Sequence, residues 1–200
     1  MKLKVCGLKD RENILAVLDT KPDYVGFIFY EGSPRYAGDL DPEFLQNLND
    51  AKKVGVFVNE SEIKILDRVS RYGLDYVQLH GNESPEFCAL IAKSVPVIKA
   101  FHVDEYFEVG SIVAYETSCK YFLFDSKNEG YGGSGKAFDH NKIKEYASKV
   151  PFFLSGGISL DNISAITSKA HALDVNSKFE ISPGIKDIQK IRVLTEKLKA

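Results

Sequence analysis

A carboxylate at the end of a short apolar segment is the first feature of this sequence that could do chemistry. Residues 122–124 are Phe-Leu-Phe, which is typical of a buried strand, and Asp125 follows directly. The largest predicted loop, 126–138, comes next and is rich in glycine. In α/β enzymes, a parallel strand that ends in an acid and continues into such a loop presents a catalytic group under a lid. The alternative is that Asp125 caps a turn and the glycines only build a loop.

Two other chemically useful residues follow predicted strands. Cys6 ends the first strand, where it is either a reactive thiol or a small buried apolar residue, as most free cysteines are. Arg35 lies in the loop after the second strand, where its planar fork either clamps a carboxylate or points into solvent. Cys88 and Cys119 are predicted to be structural, because one lies among apolar residues of a helix and the other precedes a strand.

The loops after the last two predicted strands suit an anion. Small residues there expose backbone N–H groups, and in many barrels this is where a phosphate binds. The alternative is a pair of turn glycines and a capping serine. The candidate residues at this end of the chain are Gly156, Gly157, Asp174, Asn176 and Ser177.

Neither a metal nor a cofactor is predicted. His80 follows the fourth strand, where it either lines the barrel mouth or makes a local hydrogen bond, and the other three histidines show no usable arrangement. No His/Asp/Glu spacing predicts a metal site, and no Ser-His-Asp set is evident. The three cysteines include no CxxC pair, so neither a disulfide framework nor a zinc site is indicated, and a reducing cytoplasm is the expected location.

The elements that must position these residues alternate between strand and helix. Eight apolar segments begin about 20 to 31 residues apart, the length of a strand plus a crossover helix. This order predicts a single-domain (β/α)8 barrel over residues 1–200. A doubly wound sheet is the alternative, but the turn after the first strand lacks the GxGxxG motif. The predicted strands are 3–5, 24–29, 53–58, 76–79, 96–100, 121–124, 152–154 and 172–175.

Capping residues and apolar spacing predict the helices. Asp41 and Ser84 each precede a proline, which suits the first helical position because its missing N–H would be unpaired there anyway. Gly73 is a predicted C-cap, since glycine adopts left-handed backbone without strain. The predicted helices begin after Asp10, Asp41, Ser84 and Ser159 (the last over 160–167), and also span 60–72, 186–198 and, as the weakest, 105–114.

Composition excludes some classes of protein. The 200 residues are 44% hydrophobic, which suits one globular domain with a sizeable core. Lys and Arg number 26 and Asp and Glu 28, giving a net charge of −2, which argues against a general nucleic-acid binder. No apolar run approaches the roughly 20 residues of a membrane span, and no signal-peptide apolar region is expected at the start. A monomer and a homodimer are both compatible with the sequence.

Taken together, these segments resemble the phosphoribosylanthranilate isomerase family over nearly the whole chain. Lys-Val-Cys-Gly at 4–7 resembles the family's opening Lys-Ile-Cys-Gly, Gln-Leu-His-Gly at 78–81 matches another of its motifs, and Gly-Gly-Ser-Gly at 132–135 resembles its glycine loop. The cysteine opening, combined with the acid and glycine loop, distinguishes this family from other phosphate-binding barrels. Further similar blocks are 26–36, 54–59, 154–158, 174–177 and 182–187.

The resemblance implies a reaction and a role for each candidate. The family converts N-(5-phosphoribosyl)anthranilate, a small phosphorylated substrate, to 1-(2-carboxyphenylamino)-1-deoxyribulose 5-phosphate, an Amadori rearrangement of tryptophan biosynthesis. By the resemblance, Asp125 is the general acid, Cys6 is the general base and Arg35 holds the anthranilate carboxylate. A free thiol titrates near ~8.5, so the pKa of Cys6 is expected to be lowered. The phosphate would be held by Gly156, Gly157 and Ser177, with Asp174 and Asn176 beside it.

One departure from the family pattern and three alternatives remain. After the strand-8 aspartate the family commonly has Ser-Ser-Gly, whereas this chain has Asn-Ser-Lys, which puts the phosphate contact at Lys178 in doubt. The first alternative is a phosphoribosyl isomerase of histidine biosynthesis, which uses paired aspartates on a longer chain with two similar halves. The others are a barrel that binds a phosphorylated ligand without turnover, and a structural domain of a larger assembly.

Overall fold

The computed structural model describes residues 1–126, 146, 148–166 and 169–199, and contains a closed barrel of eight parallel strands. The strands are β1 (Lys2–Cys6), β2 (Tyr24–Ile28), β3 (Lys52–Phe57), β4 (Tyr76–Leu79), β5 (Val97–Val103), β6 (Tyr121–Ser126), β7 (Phe152–Leu154) and β8 (Ala172–Val175). They pair in chain order, and β8 closes the barrel onto β1. The predicted (β/α)8 fold and all eight strands are confirmed. The predicted glycine loop lies outside the described residues from 127 onward.

Local capping explains where most helices begin. The side chains of Asp10, Asp41 and Ser84 accept from backbone N–H groups in the first turns of their helices. Gly73 ends a helix with left-handed backbone at φ 60°, as predicted. The helices are α1 (Arg11–Leu18), α2 (Pro42–Gln46), α3 (Glu62–Tyr72), α4 (Pro85–Ala92) and α5 (Ile188–Lys199).

Two predicted helices are wrong in their described parts. The segment predicted as 105–114 forms a short 3-10 helix, Val109–Tyr115, because Gly110 and the absence of a side-chain cap do not favour an α-helix. The segment predicted as 160–167 contains only a 3-10 turn, Ile163–Ala165. There the Asn162 side chain accepts from the backbone N–H of Ser159, a local bond that competes with helix formation.

A short antiparallel hairpin between β8 and α5 was not predicted. Its strands are β9 (Glu180–Ser182) and β10 (Ile185–Lys186), too short to show an apolar pattern. The hairpin places Glu180 and Lys186 beside the carboxyl end of β1, because Asn13 of α1 exchanges two hydrogen bonds with the backbone of Lys186. Two charged residues therefore reach the mouth of the barrel from a segment outside the eight strands.

Aromatic side chains fill the amino-terminal end of the barrel. Tyr24, Tyr76, Tyr121 and Phe153 start or follow the starts of their strands, and their rings pack with centroids 5.1 to 5.9 Å apart. The Tyr24 hydroxyl lies 3.0 Å from Nε2 of His171, so these two polar atoms are paired by a hydrogen bond. Within the described ranges, no helix has both the length and the apolarity needed to cross a membrane. The opposite end of the barrel is polar and open.

Candidate active site

A cavity at the carboxyl ends of the strands collects every residue that the sequence singled out. Side chains there extend beyond the strand ends, which in this fold is where the chemistry takes place. The cavity is lined by all eight predicted site residues, Cys6, Arg35, Asp125, Gly156, Gly157, Asp174, Asn176 and Ser177, together with His80, His102, Gln78, Ser155 and Lys178.

Cys6 lies over a buried ion pair. Lys4 and Cys6 are two residues apart on β1, so both side chains point into the barrel. Lys4 is directly opposite Asp174 in the strand register, and its Nζ lies 2.9 Å from the Asp174 carboxylate. The pair is almost completely buried, with side chains 0% and 5% exposed. A Cβ at Gly26 would lie 2.7 Å from the Cys6 sulfur, so only glycine there leaves room for the thiol.

The direction of the Cys6 pKa corrects the expectation from sequence. Burial raises the pKa of the Cys6 thiol, and although Lys4 and Lys186 favour the thiolate, they do not reverse the effect. Burial alone would lower the pKa of Lys4, but Asp174 and Cys6 raise it above its ordinary value, so Lys4 stays charged. The thiol is therefore mostly protonated at neutral pH, beside a fixed ammonium that stabilises the thiolate once it forms.

Arg35 is held by a carboxylate of the protein itself. Its Nε and Nη2 donate to Glu180 at 2.9 and 2.7 Å in a two-pronged contact. Glu180 also accepts from Lys186 Nζ at 2.6 Å, and Lys186 donates to Asn176 at 2.7 Å. A Cβ at Gly7, whose φ is 77°, would lie 2.8 Å from Arg35 Cδ, so the glycine lets the arginine cross the end of β1. Arg35 thus enters the cavity as part of a network, and among the described residues its Nη1 has no hydrogen-bond partner.

The loop after β7 offers unpaired backbone donors. Gly156 and Gly157 have φ values of 91° and 63°, in the left-handed region that glycine tolerates best. Neither of their N–H groups donates to another described residue. The Asn162 amide donates to the Gly157 carbonyl at 2.9 Å and so fixes the loop from below. Successive N–H groups in such a turn form a concave anion site.

Asp125 lies with two histidines at the ends of β4, β5 and β6. Its carboxylate is 3.5 Å from His80 Nε2, and the side chains are 24% and 17% exposed. His102 is its direct neighbour in the β5–β6 register, and the two histidine rings meet edge to face with centroids 5.3 Å apart. On the other side of His80, Gln78 places its amide nitrogen 2.7 Å from Nδ1. This carboxylate is thus bordered by imidazoles and reached by solvent.

A second buried charge pair fixes the loop that carries His80. Lys99 and Glu83 are both 3% exposed and 3.1 Å apart. Glu83 accepts from the N–H of Gly81 at 3.0 Å, and Lys99 donates to the Gly81 carbonyl at 2.8 Å. Both contacts hold the residue that follows His80, so the imidazole is aimed at Asp125 by groups that lie outside the cavity.

Sequence reasoning missed the charged residues that surround the candidates. No role was predicted for Lys4, Gln78, Glu180 or Lys186, although a lysine and a glutamine inside apolar strands are signals of buried polar contacts. Glu180 and Lys186 had no such signal, since their hairpin was not predicted. The completed cavity offers a thiol beside an ammonium, a carboxylic acid beside an imidazole, a guanidinium and an anion cradle, which together suit proton transfer on a phosphorylated acid.

Three comparisons with known proteins point to a single family. The chain matches the family model described as N-(5'phosphoribosyl)anthranilate (PRA) isomerase over residues 3–197. The N-(5'-phosphoribosyl)anthranilate isomerase of Parabacteroides distasonis is 44% identical over 202 residues, covering 96% of this chain and 90% of the relative. The solved phosphoribosyl anthranilate isomerase of Thermotoga maritima aligns with a TM-score of 0.88 at 37% identity, covering 100% of this chain and 98% of that one. Another, solved in complex with reduced 1-(o-carboxyphenylamino)-1-deoxyribulose 5-phosphate, aligns with a TM-score of 0.84 at 33% identity, covering 100% and 98%.

Proposed function

The chain belongs to the N-(5'-phosphoribosyl)anthranilate isomerase family, and we propose that the cavity described above carries out that isomerisation. The reaction belongs to tryptophan biosynthesis and turns an aldose amine into an amino ketose. The sugar ring opens when its oxygen is protonated, C2′ then loses a proton to give an enolamine, and the enolamine tautomerises to the ketone. The observation that carries the proposal is that one cavity holds a thiol, a carboxylate and free backbone N–H groups.

Asp125 is proposed as the general acid that protonates the ring oxygen. Its carboxylate faces the cavity from the end of β6, where acids of this fold act, and His80 lies 3.5 Å away. The imidazole lies beside the carboxylate, where the two groups can pass a proton between them. The role requires no metal or redox cofactor, because the step is a proton transfer alone.

Cys6 is proposed as the general base that removes the proton from C2′. The raised pKa leaves only a minor thiolate fraction at neutral pH, so the reactive form depends on the neighbouring ammonium of Lys4. Because Lys4 is buried and bonded to Asp174, its charge stays in place while the thiol loses and regains its proton. A thiolate with a high pKa is a strong base once formed, which suits removal of a carbon-bound proton.

The two ends of the substrate are proposed to bind on either side of these groups. Arg35 holds the anthranilate carboxylate through Nη1, the amino group that does not contact Glu180.

The phosphate end is proposed to bind the N–H groups of Gly156 and Gly157, together with Ser177 and Asn176 after β8. Asp174 shapes this site through its contact with Lys4. Lys178 also lines the cavity, where its charge adds to the attraction for phosphate. The relative that binds the reduced product analogue supports this arrangement.

The remaining properties follow from the same function. We propose one catalytic domain that works in the cytoplasm, as a monomer or a homodimer, without a cofactor and without a nucleic-acid partner. A barrel that binds the ligand without turnover is the competing function, and it is favoured only if Cys6 or Asp125 has no part in a reaction.

Turnover by the purified chain tests the proposal. Phosphoribosylanthranilate made in place from anthranilate and a phosphoribosyl donor should be consumed, seen as a loss of its fluorescence. Asp125→Asn and Cys6→Ala should each lower kcat by about 10²-fold or more, since general acids and bases contribute about that much. Cys119→Ala is the matched control, because it removes a buried thiol that does not line the cavity. Folding of every variant is checked by circular dichroism.

Two outcomes would contradict parts of the proposal. Binding of the reduced product analogue without turnover by the wild type would favour the non-catalytic barrel. A Cys6→Ala variant that keeps kcat within about tenfold would remove the thiol as the base.

A further inference from the structure

We propose that His80, His102 and Asp125 bind a divalent cation that prefers imidazole ligands, with Zn²⁺ as the example, and that the bound ion inhibits the enzyme. The three residues offer two imidazole nitrogens and one carboxylate oxygen, all within 4.8 Å of one another. They come from the ends of three consecutive strands, so no sequence spacing could have indicated the group. The site lies at the mouth of the cavity that binds substrate.

The separations are close to those that a bound ion requires. Zn²⁺ takes nitrogen and oxygen ligands at about 2.0–2.2 Å in a tetrahedron, which places two ligand atoms about 3.4 Å apart. His80 Nε2 and Asp125 Oδ2 are already 3.5 Å apart. The other two separations are at most 4.8 Å, so they must shorten by at most about 1.4 Å, the difference from about 3.4 Å.

Gln78 provides independent support from beneath the site. It is 1% exposed, and within the described part of the chain its Oε1 is a buried atom without a hydrogen-bond partner. A 180° rotation of the amide would place this oxygen where the amide nitrogen now lies, 2.7 Å from His80 Nδ1. Nδ1 would then carry the proton and Nε2 a lone pair, the tautomer that a metal-bound histidine needs. In metalloproteins, a hydrogen bond to the ring nitrogen that does not bind the metal fixes the orientation of the histidine.

The ligand types and their exposure select the kind of ion. Two imidazoles and one carboxylate suit Zn²⁺ and its neighbours in the transition series, whereas Mg²⁺ prefers oxygen ligands and keeps its waters. The three side chains are reached by solvent, so an ion can enter from the mouth. With three protein ligands, a fourth position remains for water.

Inhibition follows from what the ion would occupy. A cation on the carboxylate of Asp125 prevents it from carrying the proton that the proposed reaction needs, and the ion also narrows the entrance to the cavity. This part of the inference rests on the proposed function. The binding of the ion does not, and it is measured separately.

Calorimetry with ZnCl₂ on the chelator-treated, full-length protein tests binding. The wild type should bind one equivalent, and His102→Ala should bind at least about tenfold more weakly, since even losing an outer partner costs about 10–100-fold. Cys6→Ser is the matched control for a thiol in the same cavity and should bind as the wild type does. No binding by the wild type, equal binding by His102→Ala, or loss of binding only in Cys6→Ser would overturn the site. MgCl₂ in place of ZnCl₂ should give no comparable heat.

The isomerase assay tests the consequence. Each protein is compared with its own rate without metal, so a change in basal rate does not disturb the comparison. The wild type should lose activity as ZnCl₂ is added and regain it with chelator, and His102→Ala should need at least about tenfold more Zn²⁺. Binding without inhibition would overturn the inhibitory role. A chain that lacks isomerase activity would refute the proposed function and still leave the calorimetric result to decide the site.

Discussion

The two halves of the cavity are built in different ways. The thiol half, formed by Cys6, Lys4, Asp174, Glu180 and Lys186, is dry: its paired lysines are 0% exposed and its carboxylates 5%, with contacts of 2.6 to 2.9 Å. The acid half, formed by Asp125, His80 and His102 above the buried Gln78, is reached by water, and its ion-pair contact is 3.5 Å long. In the proposed reaction, the base is thus surrounded by buried, paired charges, whereas the acid is open to solvent.

Because the two halves differ in burial, substitutions in them should affect the folding free energy to different degrees. A buried charge that loses its partner cannot be rescued by water, so the thiol half is expensive to disturb in folding free energy. A partly exposed charge is screened, so the acid half can be changed with little effect on folding. The loss of folding free energy should therefore depend on how buried the substituted residue is, and not on how close it lies to the substrate.

The largest effect on folding is expected for Lys4→Met. The substitution leaves Asp174 buried and unpaired, which costs about 3–5 kcal/mol of unfolding free energy, measured by denaturant titration. The matched control is Lys52→Met, which removes an exposed lysine from its contact with Asp75 and should leave the unfolding midpoint nearly unchanged. Equal losses in the two variants would show that the thiol half is not held by its buried charge.

A smaller effect that depends on pH is expected for Glu180→Gln. Burial alone would raise the pKa of Glu180, but Arg35, Lys186 and the Gly184 N–H together hold it below its ordinary value. The ionised carboxylate therefore stabilises the fold above its unfolded pKa of about 4.3, and this contribution is lost as the pH falls through the folded pKa. At pH 7 the variant should lose about 1.5–3 kcal/mol, the value of hydrogen bonds to a charged group.

Unfolding free energies measured from pH 7 to pH 3 check this prediction. The wild type should lose stability more steeply than Glu180→Gln as the pH falls, so the two curves converge at the acid end. Glu196→Gln, on the exposed face of α5, is the control and should follow the wild type. Parallel curves for Glu180→Gln and wild type would mean that the network around Arg35 does not hold the carboxylate ionised.

The smallest effect on folding is expected for His80→Ala, in the acid half. Its contact with Asp125 is long and partly exposed, and its bond to Gln78 is a single neutral hydrogen bond, so its removal should lower the unfolding free energy by about 1–2 kcal/mol. The isomerase rate should fall more than this change in stability explains, because Asp125 loses its proton partner. A loss of stability as large as that of Lys4→Met would erase the contrast between the two halves.

The barrel and the position of the candidate residues in it could be predicted because the fold dictates position. Once eight strands were placed, Cys6, Asp125 and Gly156 had to lie at one end of the barrel, whatever the details of packing. The direction of the Cys6 pKa could not be predicted, because it depends on how deeply the thiol is buried over Lys4. The group formed by His80 and His102 with Asp125 was also missed, since each residue stands on a different strand.

The helix predicted after Ser159 failed for a related reason. A local preference for capping was outweighed by the Asn162 side chain, which hydrogen-bonds to the loop of the proposed anion site. Charged residues of the hairpin were missed because short strands have no periodicity to detect. Sequence patterns predict regular structure well. They predict poorly which side chains that structure brings into contact.

The bond between Lys4 and Asp174 has a consequence for synthesis. It joins the first and last strands of the barrel across 170 positions of sequence, so it cannot form until β8 has left the ribosome. Contacts of such long sequence separation require the closure of a very large loop and form slowly. The thiol of β1 therefore stays exposed to water while the later strands are made, and the buried surroundings of the proposed base form only when β8 closes the barrel.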